Sequence, residues 1–436
     1  MSEKTGLVLT LHQTDSSYEI YSPLQTSDPI PVSKWSLLGD TLRLECASIG
    51  FKATLIQQRG GVSEGGGGTS ITWGGTWRQG LLHEQITFRP ADTLFQLRRP
   101  QTPQPPYRFD EETLAVDYVD SHGDSIHLEG TLSVPRGTAS RRHPCLLLVS
   151  GSGQQNRDEE VFLHKPFLVL ADYLASRGIA VLRYDDRGVG ASTGCLDSAT
   201  TLLFAEDAEA LFNVLKDNPH VDPACLGIGG HSEGGAIAPI IASRNKDVKF
   251  VVMLAGQGCT GLDILLQQND AIYRANSLND SLLTLHNACM KELFNLPSGS
   301  SQKDYQSIIN RHTADLSKAQ IESLGLGKGT AYTLRQQLSS PWMQAFLHLD
   351  PADYLPKVTC PILALQGSKD CQVLAAPNIA AITKLAGQNT HHEIFANLNH
   401  LFQHCKTGSP NEYMLIEETF AIEAMKAIAD WILALP

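Results

Sequence analysis

The sequence predicts a mostly parallel α/β sheet covered by helices on both faces, preceded by a small all-β unit. Three observations carry that reading. Apolar residues alternate with period two over residues 1–97. From about residue 110, continuous apolar runs alternate with helix-like segments. A proline-rich stretch, RRPQTPQPPY from Arg98 to Tyr107, divides the two patterns. With 436 residues, 42% of them hydrophobic, the chain is long enough for one large domain and a smaller one.

In the first region Leu7, Leu9 and Leu11 alternate with Val8, Thr10 and His12, and Leu42, Leu44 and Cys46 with Arg43 and Glu45. Phe51, Ala53 and Leu55 follow, then Ile71 and Trp73, then Ile86 and Phe88. Short strands with no helix between them predict an antiparallel sandwich or barrel over residues 1–97. The run Gly65–Gly68 reads as a hairpin tip, since no Lys-Ser/Thr follows it as in a phosphate loop. Trp35, Trp73 and Trp77 fit an aromatic core better than a ligand platform. The unit itself leaves two roles open, bracing a cap or pairing two subunits into a homodimer.

Residues 98–109 are expected to form a stiff linker, and residues 110–436 the α/β domain. Two alternating strands open it, TLAVDYV from Thr113 and SIHLEGTLSV from Ser125. The apolar runs CLLLVSG, IAVLRYD, CLGIGGH, FVVMLAG, PILALQG and HEIFANL then alternate with helices such as FLVLADYLASRG. Between about residues 261 and 342 the rhythm breaks into helix-like sequence without a good strand, as expected of a helical cap. Its Leu262, Leu265, Leu266 and Tyr273 are expected to bound a substrate pocket.

A net charge of −12 without any basic run argues against nucleic acid or an anionic membrane as the main partner, and no stretch is long enough for a membrane span. Nine scattered cysteines without a C-x-x-C pair read as free thiols. The opening MSEKTGLVLTLHQ lacks a signal-peptide pattern. A cytoplasmic protein is therefore expected, or a periplasmic or secreted one if a signal peptide has been removed. No cofactor or metal is called for.

The chemistry centres on IGGHSEGGA, from Ile228 to Ala236. Ser232 lies between a predicted strand and a predicted helix, with glycines two residues before and after it. A nucleophile on so sharp a turn projects above the carboxyl edge of the sheet, and strand and helix pass too close for side chains at Gly230 and Gly234. The turn also aims the Glu233 N–H toward the reacting oxygen. A serine alcohol needs a base, and the base needs an acid to orient it. Asp370, after PILALQG, and His400, in FANLNHLF, follow in the expected order at the ends of strands. Asp263, His391 and His392 are rivals in poorer positions, and His404 stands four residues from His400 at a spacing a metal could use. The second oxyanion donor is placed at Ser152 in SGSGQQNRD, with Gly153 or Gln154 as alternatives. YDDRGVG reads as a structural turn with an Asp–Arg pair.

Together GGHSEGG, SGSGQQNRDE, YDDRGVGASTG, LQGSKD and LNHLFQ resemble the α/β-hydrolase superfamily, and within it the EstD-like bacterial serine carboxylesterases. That group carries a GHSEGG elbow, a GSG-P-x-D-R-D-E oxyanion loop and a late NHLFQ segment. The resemblance covers roughly residues 110–436, and GTWRQG resembles a segment of the β-rich N-terminal domain found in related members. It implies nucleophile Ser232, acid Asp370, base His400 and a helical cap. Hydrolysis of a small-molecule ester is the expected activity; an acyl-CoA thioesterase or acyltransferase, or a serine peptidase, on the same site is the alternative, and a non-catalytic binding protein the other. Gln154 and Asn156 stand where proline and aspartate are usual, which predicts a looser loop and an Arg157 short of a partner.

Overall fold

A computed structural model of the chain describes residues 10–14, 17–21, 30–47, 50–59, 71–79, 82–88, 97–137, 141–275 and 279–436. Leu7, Leu9 and the Gly65–Gly68 run lie outside them. The chain separates into two compact units, Met1–Arg98 and Arg99–Pro436.

The smaller unit holds two antiparallel sheets. One is β1 (Thr10–Gln13), β2 (Tyr18–Tyr21) and β3 (Ile30–Pro31). The other is β4 (Lys34–Leu38), β5 (Thr41–Cys46), β6 (Phe51–Arg59), β7 (Ile71–Gln79) and β8 (Leu82–Phe88), each paired with the next. Period-two alternation puts Leu42, Leu44, Cys46, Phe51, Ala53 and Leu55 on one face, where they meet Tyr18, Ile20 and Ile30 of the other sheet in a single core. Trp77 is buried there and stacks on Phe51, and Trp73 packs partly against the same core. Trp35, on the edge strand β4, stays 44% exposed with its ring edge against Tyr18.

The proline-rich stretch read as a linker is tied to the larger unit. The Arg99 guanidinium donates to the carbonyls of Phe162, Met414 and Ile416, and Gln101 bonds the backbone of Phe420 in both directions. Tyr107 stacks on Phe109, which is buried against Leu168 and Ala175.

The larger unit is built on an eight-stranded sheet: β9 (Phe109–Val119), β10 (Ser125–Pro135), β11 (His143–Val149), β12 (Ala180–Tyr184), β13 (Val221–His231), β14 (Val251–Leu254), β15 (Ile362–Gly367) and β16 (Thr390–Phe395). Their order across the sheet is β16-β15-β14-β13-β11-β12-β10-β9; β9 pairs with β10 and β10 with β12 antiparallel, and the remaining pairs are parallel. Helices α1 (Pro166–Ser176), α2 (Thr201–Leu215) and α3 (Gly234–Arg244) follow β11, β12 and β13. On one face α2 and α3 bury Leu211, Phe212, Ile237 and Ile241 against Leu147, Leu182 and Ile228. On the other, Leu170 and Leu174 of α1 meet Leu146, Val252 and Leu365. Apolar on both faces, the central strands have no hydrophilic side to alternate with, so their sequences read as unbroken apolar runs. The chain runs from β11 outward to β12 and then crosses back to β13, so strand order reverses between β11 and β13, where open α/β sheets form their crevice.

The interval without strands folds into α4 (Gly261–Ala275), α5 (Asp280–Phe294), α6 (Gln302–Thr313), α7 (Lys318–Ser323), α8 (Thr330–Leu338) and α9 (Pro341–Leu347). They enclose a core of their own, with Leu293, Tyr305, Ile309, Leu324 and Leu338 buried. The insertion is pinched at its neck: the Gly261 N–H donates to Leu349 O at 2.9 Å, and a Cβ on Gly261 would stand 1.7 Å from Phe346 O. The chain then completes the sheet through α10 (Ala375–Ala386) and packs α11 (Ile422–Leu433) beside α1.

YDDRGVG pairs differently from the local Asp–Arg contact expected. Arg187 reaches across to α2, binding Asp207 through two nitrogens at 2.7 and 2.9 Å, and donates to Asp120 at 3.1 Å. All three are buried. Replacing Arg187 with Leu strands two buried carboxylates. It should destabilise the larger unit by about 3–5 kcal/mol, read as a lowered urea midpoint. Truncation tests the anchored stretch: a chain beginning at Arg99 should melt higher than one beginning at Tyr107, which loses the Arg99 and Gln101 bonds.

Candidate active site

Ser232 sits where β13 ends and α3 begins, at φ +53°, in the left-handed region that a non-glycine residue occupies only under constraint. The constraint is visible on both sides. A Cβ on Gly230 would lie 2.2 Å from the Gly234 backbone, and one on Gly234 would lie 2.1 Å from Val149 O of β11. Strand and helix thus meet backbone to backbone, and the Ser232 N–H is held by Leu254 O of β14 at 2.8 Å.

Asp370 and His400, thirty residues apart, come together at the ends of β15 and β16. His400 Nδ1 is 2.8 Å from Asp370 Oδ2, and both side chains are buried. The other Asp370 oxygen accepts the N–H groups of Gln372 and Val373 at 2.7 and 2.9 Å. With Nδ1–H donating to a carboxylate, Nε2 of His400 is left as a proton acceptor. The loop carrying His400 is held by its own motif. Asn399 Oδ1 accepts the N–H groups of Leu401 and Gln403, its amide donates to Gln403 Oε1, and Phe402 stacks on Phe420. Gln403 in turn reaches His164, whose pKa burial lowers to about 4.

The loop after β11 wraps around buried carboxylates. Ser150 Oγ and the Gln155 N–H both donate to Asp186, and burial pushes that carboxyl well above its usual range. The Gly151 N–H donates to Glu159 Oε1 at 2.7 Å. The loop is well braced despite its departures from the family pattern. Asn156 accepts the N–H groups of Asp158 and Glu160, and Arg157 binds Asp185, Glu129 and Thr131.

Glu233, the residue after Ser232, has its carboxyl engaged by the elements around it. One oxygen accepts Thr201 Oγ1 at 2.6 Å and the Trp342 indole N–H at 2.8 Å, and the Ser152 hydroxyl also bonds the group. Burial raises its pKa against these donors. Trp342 belongs to α9, so the helical insertion is fastened directly to the elbow.

Ser232, His400, Ser152 and Glu233 line one cavity of about 440 Å³, with Gly151, Gln257, Gln268, Gln372 and Tyr413 on its polar side. Ile264, Leu265, Trp342, Phe346, Val373 and Leu401 form its apolar side, and neither Lys nor Arg is among the lining residues. Of the four insertion residues expected to bound the pocket, Leu265 lines it. Leu262 packs in the insertion's own core and Tyr273 donates to Leu324 O. The rivals lie elsewhere. Asp263 is exposed and bonded to Thr260 at the start of α4, His391 and His392 are exposed on β16, and His404 pairs with Glu418 and Glu423. Among the described residues, no cluster of three His, Cys, Asp or Glu side chains suits a metal. All nine cysteines are free thiols. The roles of Glu159, His231, Trp342 and Gln372 escaped sequence reading; adjacency to Ser232, Asp370 and the oxyanion loop was the only signal for three of them, and Trp342 had none.

Esterase EstD of Thermotoga maritima is 26% identical over 315 residues, which cover 71% of this chain and 64% of that protein; the chain thus spans just under two thirds of the relative's length. Similar solved structures include a hypothetical protein of Pseudomonas aeruginosa (16% identity, 78% of this chain and 99% of that one, TM-score 0.46). Another is Est1E of Butyrivibrio proteoclasticus with bound ferulic acid (17% identity, 72% and 97%, TM-score 0.43). A family model described as serine aminopeptidase, S33, matches residues 165–404, more than half of the chain, and encloses Ser232, Asp370 and His400. The chain belongs to this Hydrolase_4 family of α/β hydrolases.

Proposed function

We propose that the protein is a serine carboxylesterase acting on neutral esters with short to medium acyl chains. The observation that carries this is Ser232, held at φ +53° on the elbow and facing the same cavity as a His400 oriented by Asp370. In this reading Ser232 Oγ attacks the ester carbonyl while His400 Nε2 takes its proton. Asp370 keeps the imidazole in the required tautomer and stabilises the cation that forms. The N–H groups of Ser152 and Glu233 hold the oxyanion. The tetrahedral adduct collapses, His400 returns the proton to the departing alcohol, and Ser232 is left acylated. Water then attacks the acyl carbon, losing a proton to His400; the second adduct collapses with cleavage of the bond to Ser232 Oγ, which takes that proton back from His400 as the acid is released. The helices α4 and α9 act as the cap.

Cavity chemistry supports a neutral substrate. Neither Lys nor Arg lines it, and the net charge of −12 repels the phosphates of an acyl-CoA. The family's description raises aminopeptidase activity, which requires a carboxylate for the substrate ammonium. Glu159 and Glu233, the carboxylates lining the cavity, are both engaged in internal hydrogen bonds. A cavity of about 440 Å³ suits acyl chains of roughly two to eight carbons.

Ser232→Ala and His400→Ala should each lower kcat by roughly 10⁴- to 10⁶-fold with the fold intact, and Asp370→Asn by about 10⁴-fold. A fluorophosphonate probe should label the wild type and leave Ser232→Ala unlabelled; an unlabelled wild type would sink the proposal. Substrate class is decided by comparing kcat/KM on p-nitrophenyl esters of graded length, acyl-CoA thioesters and aminoacyl anilides. Short esters should lead. A tenfold advantage for a thioester or an anilide would reassign the substrate and leave the nucleophile in place.

A further inference from the structure

We propose that Glu159 and His231 form a buried strut that fixes the spacing between the oxyanion loop and the loop of the base, making both of them positioning residues. This rests on the serine-hydrolase reading above. His231 immediately precedes Ser232, and its Nε2 lies 2.8 Å from the backbone oxygen of His400. A carbonyl oxygen can only accept, so Nε2 carries a hydrogen. The Nδ1 atom lies 2.9 Å from Glu159 Oε1, the same oxygen that accepts the Gly151 N–H at 2.7 Å. One carboxylate and one imidazole thus join three backbone segments: the start of the oxyanion loop, the elbow and the main chain of His400.

The neighbourhood is shaped for this contact. Glu159 itself adopts φ +52° and is buried, held by its N–H to Asn156 O. A Cβ on Gly151 would come within 3.3 Å of both Glu159 Oε1 and Ser232 Cβ, a separation that leaves little room for a larger residue. Burial disfavours a charged His231, yet attraction and hydrogen bonding to Glu159 prevail and its pKa is raised. Both ring nitrogens are occupied, Nε2 by the His400 carbonyl and Nδ1 by Glu159, so neither is free to take a substrate proton. His231 is therefore excluded as a second base although it lines the cavity.

Two consequences bear on catalysis. With its N–H engaged by Glu159, Gly151 is removed as a competing donor, which leaves that of Ser152 for the oxyanion. The base is gripped at both ends, its ring by Asp370 and its carbonyl by His231. The two imidazoles lie 4.7 Å apart between ring centroids. A slack strut would let His400 drift relative to Ser232, and displacement of about 1 Å can cost on the order of 100-fold in rate.

The test uses the full chain with four substitutions: Glu159→Ala, Glu159→Gln, His231→Leu and His231→Gln. Competent sites are counted by labelling to completion with a fluorophosphonate, and kcat and KM for p-nitrophenyl butyrate are expressed per labelled site. Glu159→Ala and His231→Leu should lower kcat per site by roughly 30- to 300-fold with KM within about threefold of wild type. His231→Gln, which keeps an amide donor for the His400 carbonyl, should recover at least about tenfold over His231→Leu. Glu159→Gln keeps an acceptor for the Gly151 N–H and should fall between wild type and Glu159→Ala; it stands in where the alanine variant does not fold. A kcat per labelled site within about threefold of wild type in His231→Leu and in the Glu159 variants would overturn the strut, whatever the melting temperatures do. An unlabelled wild type would instead overturn the hydrolase reading.

Discussion

The close approach of α3 to β13 and β11 is the constraint on which the site depends. Three backbones converge at Gly230, Gly234 and Val149, at distances that exclude any side chain. With that wedge closed, the chain can pass from strand to helix only through a left-handed residue, and that residue is Ser232. Because strand order reverses between β11 and β13, the same wedge opens a crevice above the carboxyl ends of the sheet. The loop after β11 enters it from one side, and the Asp370 and His400 loops enter it from beyond β14. The elbow strains one residue and places the rest of the site by topology.

Around this wedge the protein buries several carboxyl groups, and their partners tie the loops together. Asp186 is satisfied by Ser150 and Gln155, Glu233 by Thr201, Trp342 and Ser152, Glu159 by Gly151 and His231, and Asp207 by Arg187. A buried carboxylate costs far more unpaired than paired, so each one pins whichever segments supply its donors. The segments pinned are the loop after β11, the elbow and the loop that leads from β12 into α2. Glu233 extends the same logic to the insertion, since its Trp342 partner lies on α9. The fixed framework and the helical insertion therefore share one hydrogen-bonded group, on the residue next to Ser232.

Much of this was legible from residues alone. Period-two alternation at Leu42, Leu44 and Cys46 marks a one-sided sheet, and the unbroken runs CLLLV and FVVML mark strands apolar on both faces. Gly-x-Ser-x-Gly between a strand and a helix leaves few geometries for Ser232. Asp370 and His400 were legible because chain order and strand ends narrow the choice, and the structure sets them 2.8 Å apart. The partner of Arg187 was misread because its true carboxylates lie 67 and 20 residues away, while an aspartate stood next to it in sequence. The proline-rich stretch read as a free linker because composition reports stiffness and is silent about Arg99 reaching carbonyls more than 300 residues later.

What the sequence by itself determined is local: which segments are strands or helices, where the elbow must bend, and which residue types stand at the ends of the strands around it. These follow from periodicity, turn sterics and chemical identity, each confined to a few neighbouring residues. Only the tertiary structure decided that the helical insertion is latched through Trp342 to Glu233, that Leu265 and not Tyr273 reaches the cavity, and that Glu159 and His231 bridge Gly151 to His400. Such pairings depend on distances across the fold. A buried polar group must find a partner, but which of many chemically equivalent donors it meets is settled by the packing of backbones that are remote in sequence.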